Sequence, residues 1–362
     1  MGIDEVDVVV VGGGAMGSAA AWQLTRRGVT VLLLEQYEEG HTRGASHGAS
    51  RIFRLTYPDA VHIGLAREAQ RLWRELEDES GAGLLTVTGG VDHGDHPYLD
   101  QLADGLTAAG VAYEWLEPAA AAERWPGIRF DTRALFHPDS GRLHADRSVA
   151  ALQAAARDRG AVVRHDTPVT AIEVVGEDAV LVHTGSGSYR ARRVVAAVNA
   201  WAAELVGALV PLPPLRVTQE QPAHFAALEP EAGWPSFGHL SAGVTVYGLA
   251  TPGEGIKAGF HGTGPEVDPD HRDFRPEPTQ LAALRDYARK WLPGVDSDVC
   301  VPISCTYTTT PTSTFVLDRR GPVVVATGFS GHGFKFVPAI GRVLADLAID
   351  GSRPDSRFSS HS

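Results

Sequence analysis

Apolar runs punctuated by glycine organise this chain. Val8 to Val11 is a continuous run of β-forming residues, the pattern of a strand buried on both faces. It gives way to Gly12, Gly14 and Gly17, and then to Ala15–Arg27, whose composition is helical. Val29 to Leu34 is a second buried strand, closed by Glu35. The far end repeats the device. Val323 to Lys335, VVVATGFSGHGFK, passes from apolar β-formers through a loop with three glycines to a lysine, and a helical pattern follows from Phe336. A strand that ends in a glycine loop before a helix carries backbone N–H groups up to a ligand. Two such units at opposite ends of the sequence point to one cofactor held from both ends of the chain.

The middle alternates. Helical spacing of apolar residues predicts helices over Ala60–Glu79, Ser148–Arg159 and Gln280–Trp291, and a mostly helical stretch from Tyr98 to Arg124 that ends at Trp125-Pro126-Gly127. Strands are predicted at Leu84–Val91 and Ala161–His165. A meander is predicted at Val169–Val175, Ala179–His183 and Tyr189–Arg193, with a separate buried strand at Val194–Val198. Pro211 to Pro214 reads as a crossing between domains. Ala223–Phe260 is strand-rich, as in an antiparallel sheet, and Val301–Thr310 is β-rich. The whole predicts a mixed α/β chain without internal repeats.

Composition narrows the function classes. The 362 residues are 43% hydrophobic, enough for a large core and for two intertwined domains. A net charge of −12 argues against nucleic acid or an anionic membrane as partner. No apolar run reaches the roughly 18 residues that span a bilayer, and the N-terminus enters a strand with no basic leader, so no secretory signal is expected. The two cysteines, Cys300 and Cys305, make no disulfide framework. Their odd spacing predicts opposite faces of one continuous strand. A reducing, cytoplasmic setting follows, and no metal site is expected.

Gly12, Gly14 and Gly17 form G-x-G-x-x-G between a strand and a helix. Glu35 falls about twenty residues on, where a carboxylate accepts from the ribose hydroxyls of an adenine dinucleotide. Arg51 and Arg54 lie three apart in SRIFRLTY. If helical, they share a face and read either as a solvated basic edge or as a site for a carboxylate, which suits the guanidinium fork. Lys257 and His261 in GIKAGFH share a face if extended, and a lysine on the inner face of a sheet is costly to bury unpaired. Taken by itself, Cys305 reads as a small buried apolar residue, Lys335 as a loop cap or a partner of Asp318, His261 as an ordinary histidine, and Tyr247 and Tyr307 as sheet packing.

Four segments together change those readings: VVVVGGGAMGSAAAWQLTRRG, HTRGASHGASRIFRLTY, GIKAGFH, and CTYTTTPTSTFVLD with ATGFSGHGFKF. In these the chain resembles the monomeric sarcosine oxidase and N-methyltryptophan oxidase family of FAD-dependent amine oxidases, over nearly its whole length and least from about Gln219 to Val246. The resemblance implies a Rossmann-like FAD-binding domain (1–83, 142–215 and 300–362) and an interleaved substrate domain on a mixed, largely antiparallel sheet (84–141 and 216–299). It implies a thioether from Cys305 to the flavin 8α-methyl. Arg54 and Lys335 would bind a substrate carboxylate, with Arg51 over the flavin ring. Lys257 would stand beside the flavin N5, where its charge assists oxygen reduction, and His261, Tyr247 and Tyr307 would line the substrate pocket. Gly12, Gly14, Ala15, Met16, Gly17, Glu35, Gln36, Arg43, Ser46, His47, Val169, Gly331, Gly333, Phe334 and Lys335 would contact the cofactor, along with Arg51 and Cys305. Trp201 and Cys300 read as structural. The implied reaction is oxidation of an N-methyl or cyclic secondary amino acid to an imine by a monomer, with oxygen reduced to hydrogen peroxide. Delivery of the electrons to a protein acceptor is the rival, as is a cyclic substrate such as pipecolate or proline. The loop YGLATPGEGIK over the pocket, with Pro252 and Glu254, is expected to be particular to this protein.

Overall fold

The computed structural model describes residues 5–228, 230–241 and 243–360; the outermost bounds of the expected domains, residues 1–4 and 361–362, lie outside these. The N-terminal unit forms as its pattern dictates. β1 (Glu5–Val11) leads into α1 (Ala15–Thr25) and then β2 (Val31–Leu34). β1 pairs in parallel with β2 on one side and with Gly187–Ala196 on the other. Both faces are covered, so Val8 to Val11 are all buried. The rest of this eight-stranded sheet is Val162–Arg164 beside β2, Val169–Gly176 and Ala179–Thr184 as a hairpin, and Val316–Arg320 with Val323–Thr327.

Gly187–Ala196 is one continuous strand where the sequence suggested two. Its start pairs antiparallel with Ala179–Thr184 and its end pairs in parallel with Val323–Thr327. A change of partner along one edge, with one face still half-solvated at the start, produces the change of pattern near Arg193.

α1 is apolar nearly all round because it is enclosed. It packs on the helices Ala145–Asp158 and Val337–Ile349. The contact with the latter is close: a side chain at Gly341 would meet Ala19 at 2.6 Å. The first and last helices therefore lie against each other. Ala60–Ser80 packs on the same closing helix, with Asp59 capping its start by accepting from the amides of Val61 and His62 at 3.1 and 3.0 Å.

A second eight-stranded sheet runs in the order 295–302, 223–227, 255–260, 244–251, 236–241, 90–93, 134–137, 114–116. All neighbours are antiparallel except 236–241 with 90–93. The expected strand Leu84–Val91 is divided. Leu85–Val87 joins a small sheet with Arg51–Phe53 and Gly141–Leu143, and Gly90–His93 enters the large one. The long helical stretch expected from Tyr98 to Arg124 is likewise Tyr98–Ala108 and Pro118–Arg124 with the strand Glu114–Leu116 between, since Gly110 breaks the helix. Arg216–Glu220 and Cys305–Thr309 form a two-stranded ribbon between the sheets. Cys300 and Cys305 thus stand on different strands, because the chain leaves the sheet after Pro302. Among the described residues no helix is long and apolar enough to cross a membrane.

Candidate active site

A cavity of about 730 Å³ opens where the parallel strands of the first sheet end. Its walls come from both ends of the chain. Gly12, Gly14, Ala15, Met16, Glu35, Gln36, Ser46, His47, Arg51, Val169, Cys305, Tyr307, Gly331, Gly333 and Phe334 all line it. The glycine loop is held open from below. Glu35 is buried, and its carboxylate accepts from the amide of Gly13 at 2.6 Å and from that of Tyr37 at 3.0 Å. Ser46 accepts from the amide of Ala15 at 2.9 Å and so caps α1 from outside. Gly17 lies off the wall, one turn into the helix and against the carbonyl of Gly12. Arg43 also lies off it. Its guanidinium stacks over Tyr37 and Phe274 at the exposed rim.

This shape fits a dinucleotide. The start of α1 meets the cavity at Gly14, Ala15 and Met16, with the helix dipole behind it. His47 Nε2, His165 Nδ1 and Asn199 Oδ1 are buried at the cavity wall without a partner among the described residues, ready for a polar ligand. Burial and the charges of Arg51, Lys257 and Arg272 bring His47 down to about pH 3, so it is a neutral donor or acceptor. Gln153 and Trp201 are wall residues the sequence did not single out for the site. Gln153 donates to the Gly13 carbonyl at 2.9 Å. Trp201, read from sequence as packing, is half-buried on the wall with its indole N–H on Asp270 at 2.8 Å.

Beside the cavity stand the groups of the expected chemistry. Arg51 opens a strand and Arg54 follows it, so the shared helical face does not exist. SRIFRLTY is rich in β-formers and pairs with Gly141–Leu143. Arg51 donates to the carbonyls of Ala45 and His47 and lies 4.0 Å from Cys305 Sγ. Arg54 turns the other way and donates to Asp92 at 3.0 Å. Asp92 is fully buried and also meets His137 Nε2 at 3.0 Å, and His137 in turn contacts Ser140. No periodicity marked Asp92; its one signal is an acid inside the apolar run GGVDH.

Lys335 stands against Arg54, away from Asp318, which instead pairs with Arg353. Lys335 is buried, and its ammonium donates to Tyr57 at 3.0 Å and to the His332 carbonyl at 2.8 Å. Burial and Arg54 push its pKa far below the ordinary lysine value. Lys257 is buried on the inner face of Gly255–Phe260 and donates to the Ser50 carbonyl at 3.3 Å. Burial first, and Arg51 second, lower it to about 7. His261 follows that strand and meets the Tyr307 hydroxyl at 3.3 Å. Burial with Arg54 and Lys335 holds it neutral, at about 4. The hydroxyls of Tyr247 and Tyr307 contact each other, and burial pushes both phenols upward. One sequence signal was overlooked. The chain has three lysines among 32 basic residues, and two of them, Lys257 and Lys335, are buried here. A chain so poor in lysine does not bury two without use.

Comparison with known proteins agrees with this geometry. A family model described as FAD dependent oxidoreductase matches residues 7–347. The monomeric sarcosine oxidase of Bacillus sp. (strain NS-129) is 34% identical, over 95% of this chain and 93% of its own. The N-methyl-L-tryptophan oxidase of Citrobacter koseri is 30% identical over 94% of each. Among solved structures, NikD, described as an unusual amino acid oxidase essential for nikkomycin biosynthesis, is 30% identical, with a TM-score of 0.87 over 98% of this chain and 97% of its own.

Proposed function

Because the chain belongs to the FAD dependent oxidoreductase family, we propose that it oxidises the C–N bond of a secondary amino acid, N-methylated or cyclic, with oxygen as the final electron acceptor. The observation that carries the reading is the placement of two buried lysines on two sides of one site. Lys335 and Arg54 form one pole, and Lys257 and Arg51, beside Cys305, form the other. On this reading residues 1–83, 142–215 and 300–362 bind the cofactor, residues 84–141 and 216–299 cover the substrate, and the protein works as a cytoplasmic monomer.

The first pole suits a carboxylate. Asp92 already neutralises Arg54, and a substrate carboxylate beside Lys335 would offset the burial that lowers its pKa, so that Lys335 meets it as the ammonium. Tyr247, Tyr307 and His261 form a wall of one neutral imidazole and two phenols kept neutral by burial, which suits a neutral amine and excludes bulk water. The glycine loop, Glu35, Ser46 and Val169 would hold FAD, with Cys305 as its tether. When bound, FAD supplies the hydride acceptor and the two-electron link to oxygen. Lys257 then places a proton and a positive charge where oxygen gains negative charge.

The purified protein should be yellow. Under anaerobic conditions an N-methyl or cyclic amino acid should bleach it, and admission of air should restore the colour with release of hydrogen peroxide. Failure of every carboxylate-bearing secondary amine to bleach the flavin sinks the reading. Bleaching without peroxide in air favours a protein electron acceptor.

A further inference from the structure

The loop Pro252–Gly255 carries Glu254 to the solvent side of the Lys257 strand. Glu231 fixes this loop by accepting from the amides of Gly253 and Gly255 at 3.1 and 3.0 Å. Glu254 is about half exposed, at 46%, and contacts His224 Nδ1 at 2.7 Å. His224 is buried, and its other nitrogen, Nε2, has no partner among the described residues. His224 and Lys257 are direct cross-strand partners between Ala223–Ala227 and Gly255–Phe260. Such partners share a face with Cβ atoms about 5 Å apart. A half-exposed carboxylate thus touches a buried imidazole, and that imidazole stands at the strand position paired with the buried amine. Nothing in packing requires the ring: a buried imidazole with one orphaned nitrogen is costly where a phenylalanine would serve.

We propose that Glu254 and His224 form the path by which Lys257 regains its proton from solvent during oxygen reduction. The inference rests on the oxidase reading above. A neutral amine that loses a C–H as hydride leaves as an iminium cation. Reduction of oxygen to hydrogen peroxide takes two electrons and two protons. The hydride accounts for both electrons and one proton, and the second proton comes from the protein. Lys257 gives it up as its N–H bond breaks. His224 restores it through a bridging water, losing a proton from Nε2 and gaining one at Nδ1 from the Glu254 side, where solvent replaces it. Burial together with Lys257 and Arg51 holds the His224 imidazole neutral, with a pKa lowered to about 4, so the ring carries a proton through without retaining it.

The test uses the holoenzyme, reduced by light and mixed with oxygenated buffer in a stopped-flow cell, in H2O and in D2O. Wild type is compared with Glu254→Gln and His224→Gln. With three lysines in the chain, 13C-lysine labelling reads the charge on Lys257 directly, and the proteins are compared at the pH where that signal shows equal protonation. Slowing of re-oxidation by about tenfold or more in both variants, a larger solvent isotope effect, and rescue of His224→Ala by added imidazole support the path. Anaerobic reduction by amine should stay within about twofold of wild type. Re-oxidation at the wild-type rate in both variants overturns it, as does slowing that vanishes once Lys257 protonation is matched. A wild type that amine reduces but oxygen does not re-oxidise overturns the oxidase reading and the path with it.

Discussion

Burial beside Arg51 brings Lys257 to about 7, so its charge titrates near neutral pH. The pKa is lowered, so the ammonium is present below the midpoint and lost as pH rises through it. Re-oxidation by oxygen should therefore be fast at low pH and decline above about pH 7, with a bound anion moving the midpoint upward. Lys257→Met should remove that pH dependence and slow re-oxidation by roughly 100-fold or more, the size of one preorganised charge (~3 kcal/mol). Stopped-flow traces across pH check both points, and an unchanged profile in the variant assigns the role elsewhere. At the other pole, Arg54→Gln or Lys335→Met should raise KM for an amino acid, at a cost of ~2–5 kcal/mol in transition-state binding. The corresponding amine without a carboxylate should be insensitive to either change. The sequence disclosed these residues through their resemblance to family motifs. It did not disclose Asp92, His137 or His224, because each acts through a partner distant in the chain. Asp92 and Arg54 are joined only when the second sheet meets the small one.

Elements were legible where the pattern was long. Val8–Val11, Val31–Leu34 and Val323–Thr327 lie between neighbours on both sides, and continuous apolar runs report that directly. The three-residue strands Arg51–Phe53, Leu85–Val87 and Gly141–Leu143 are too short to display a period, and they were missed or misassigned although they carry Arg51. The glycine loop after Val323–Thr327 has its own expected outcome. Gly331 has φ +77°, and a side chain there would meet the Tyr307 ring at 2.2 Å. Gly331→Ala should cost ~1–3 kcal/mol from backbone strain and displace the ring. The measurements are the thermal midpoint and the flavin content. Normal values for both show that the loop does not fix Tyr307.

At the scale of the whole molecule, one cofactor would join Gly12–Met16 to Phe329–Phe334. In Cys305→Ser, where FAD is free to dissociate, removing it should lower the Tm and adding it back should restore it, by ~4 kcal/mol at a thousandfold excess over Kd. If Cys305 is the tether, acid precipitation leaves the yellow chromophore on the protein, and Cys305→Ser releases it. Colour in the supernatant of wild type excludes the thioether.

The long strand Gly187–Ala196 adds a consequence for how the protein is made. Its start meets a hairpin neighbour synthesised just before it, while its end meets Val323–Thr327, made more than 120 residues later. Until then Val194, Val195 and Ala196 hold one bare edge, and the cavity lacks the wall that Phe329–Phe334 supply. A nascent chain therefore presents an incomplete site, and tight loading of the cofactor waits for the glycine loop after Val323–Thr327. A transcript cut short before Val323 yields a product with an unpaired apolar edge, which chaperones and proteases recognise, so incomplete copies are marked for removal by the same strand that completes the intact ones.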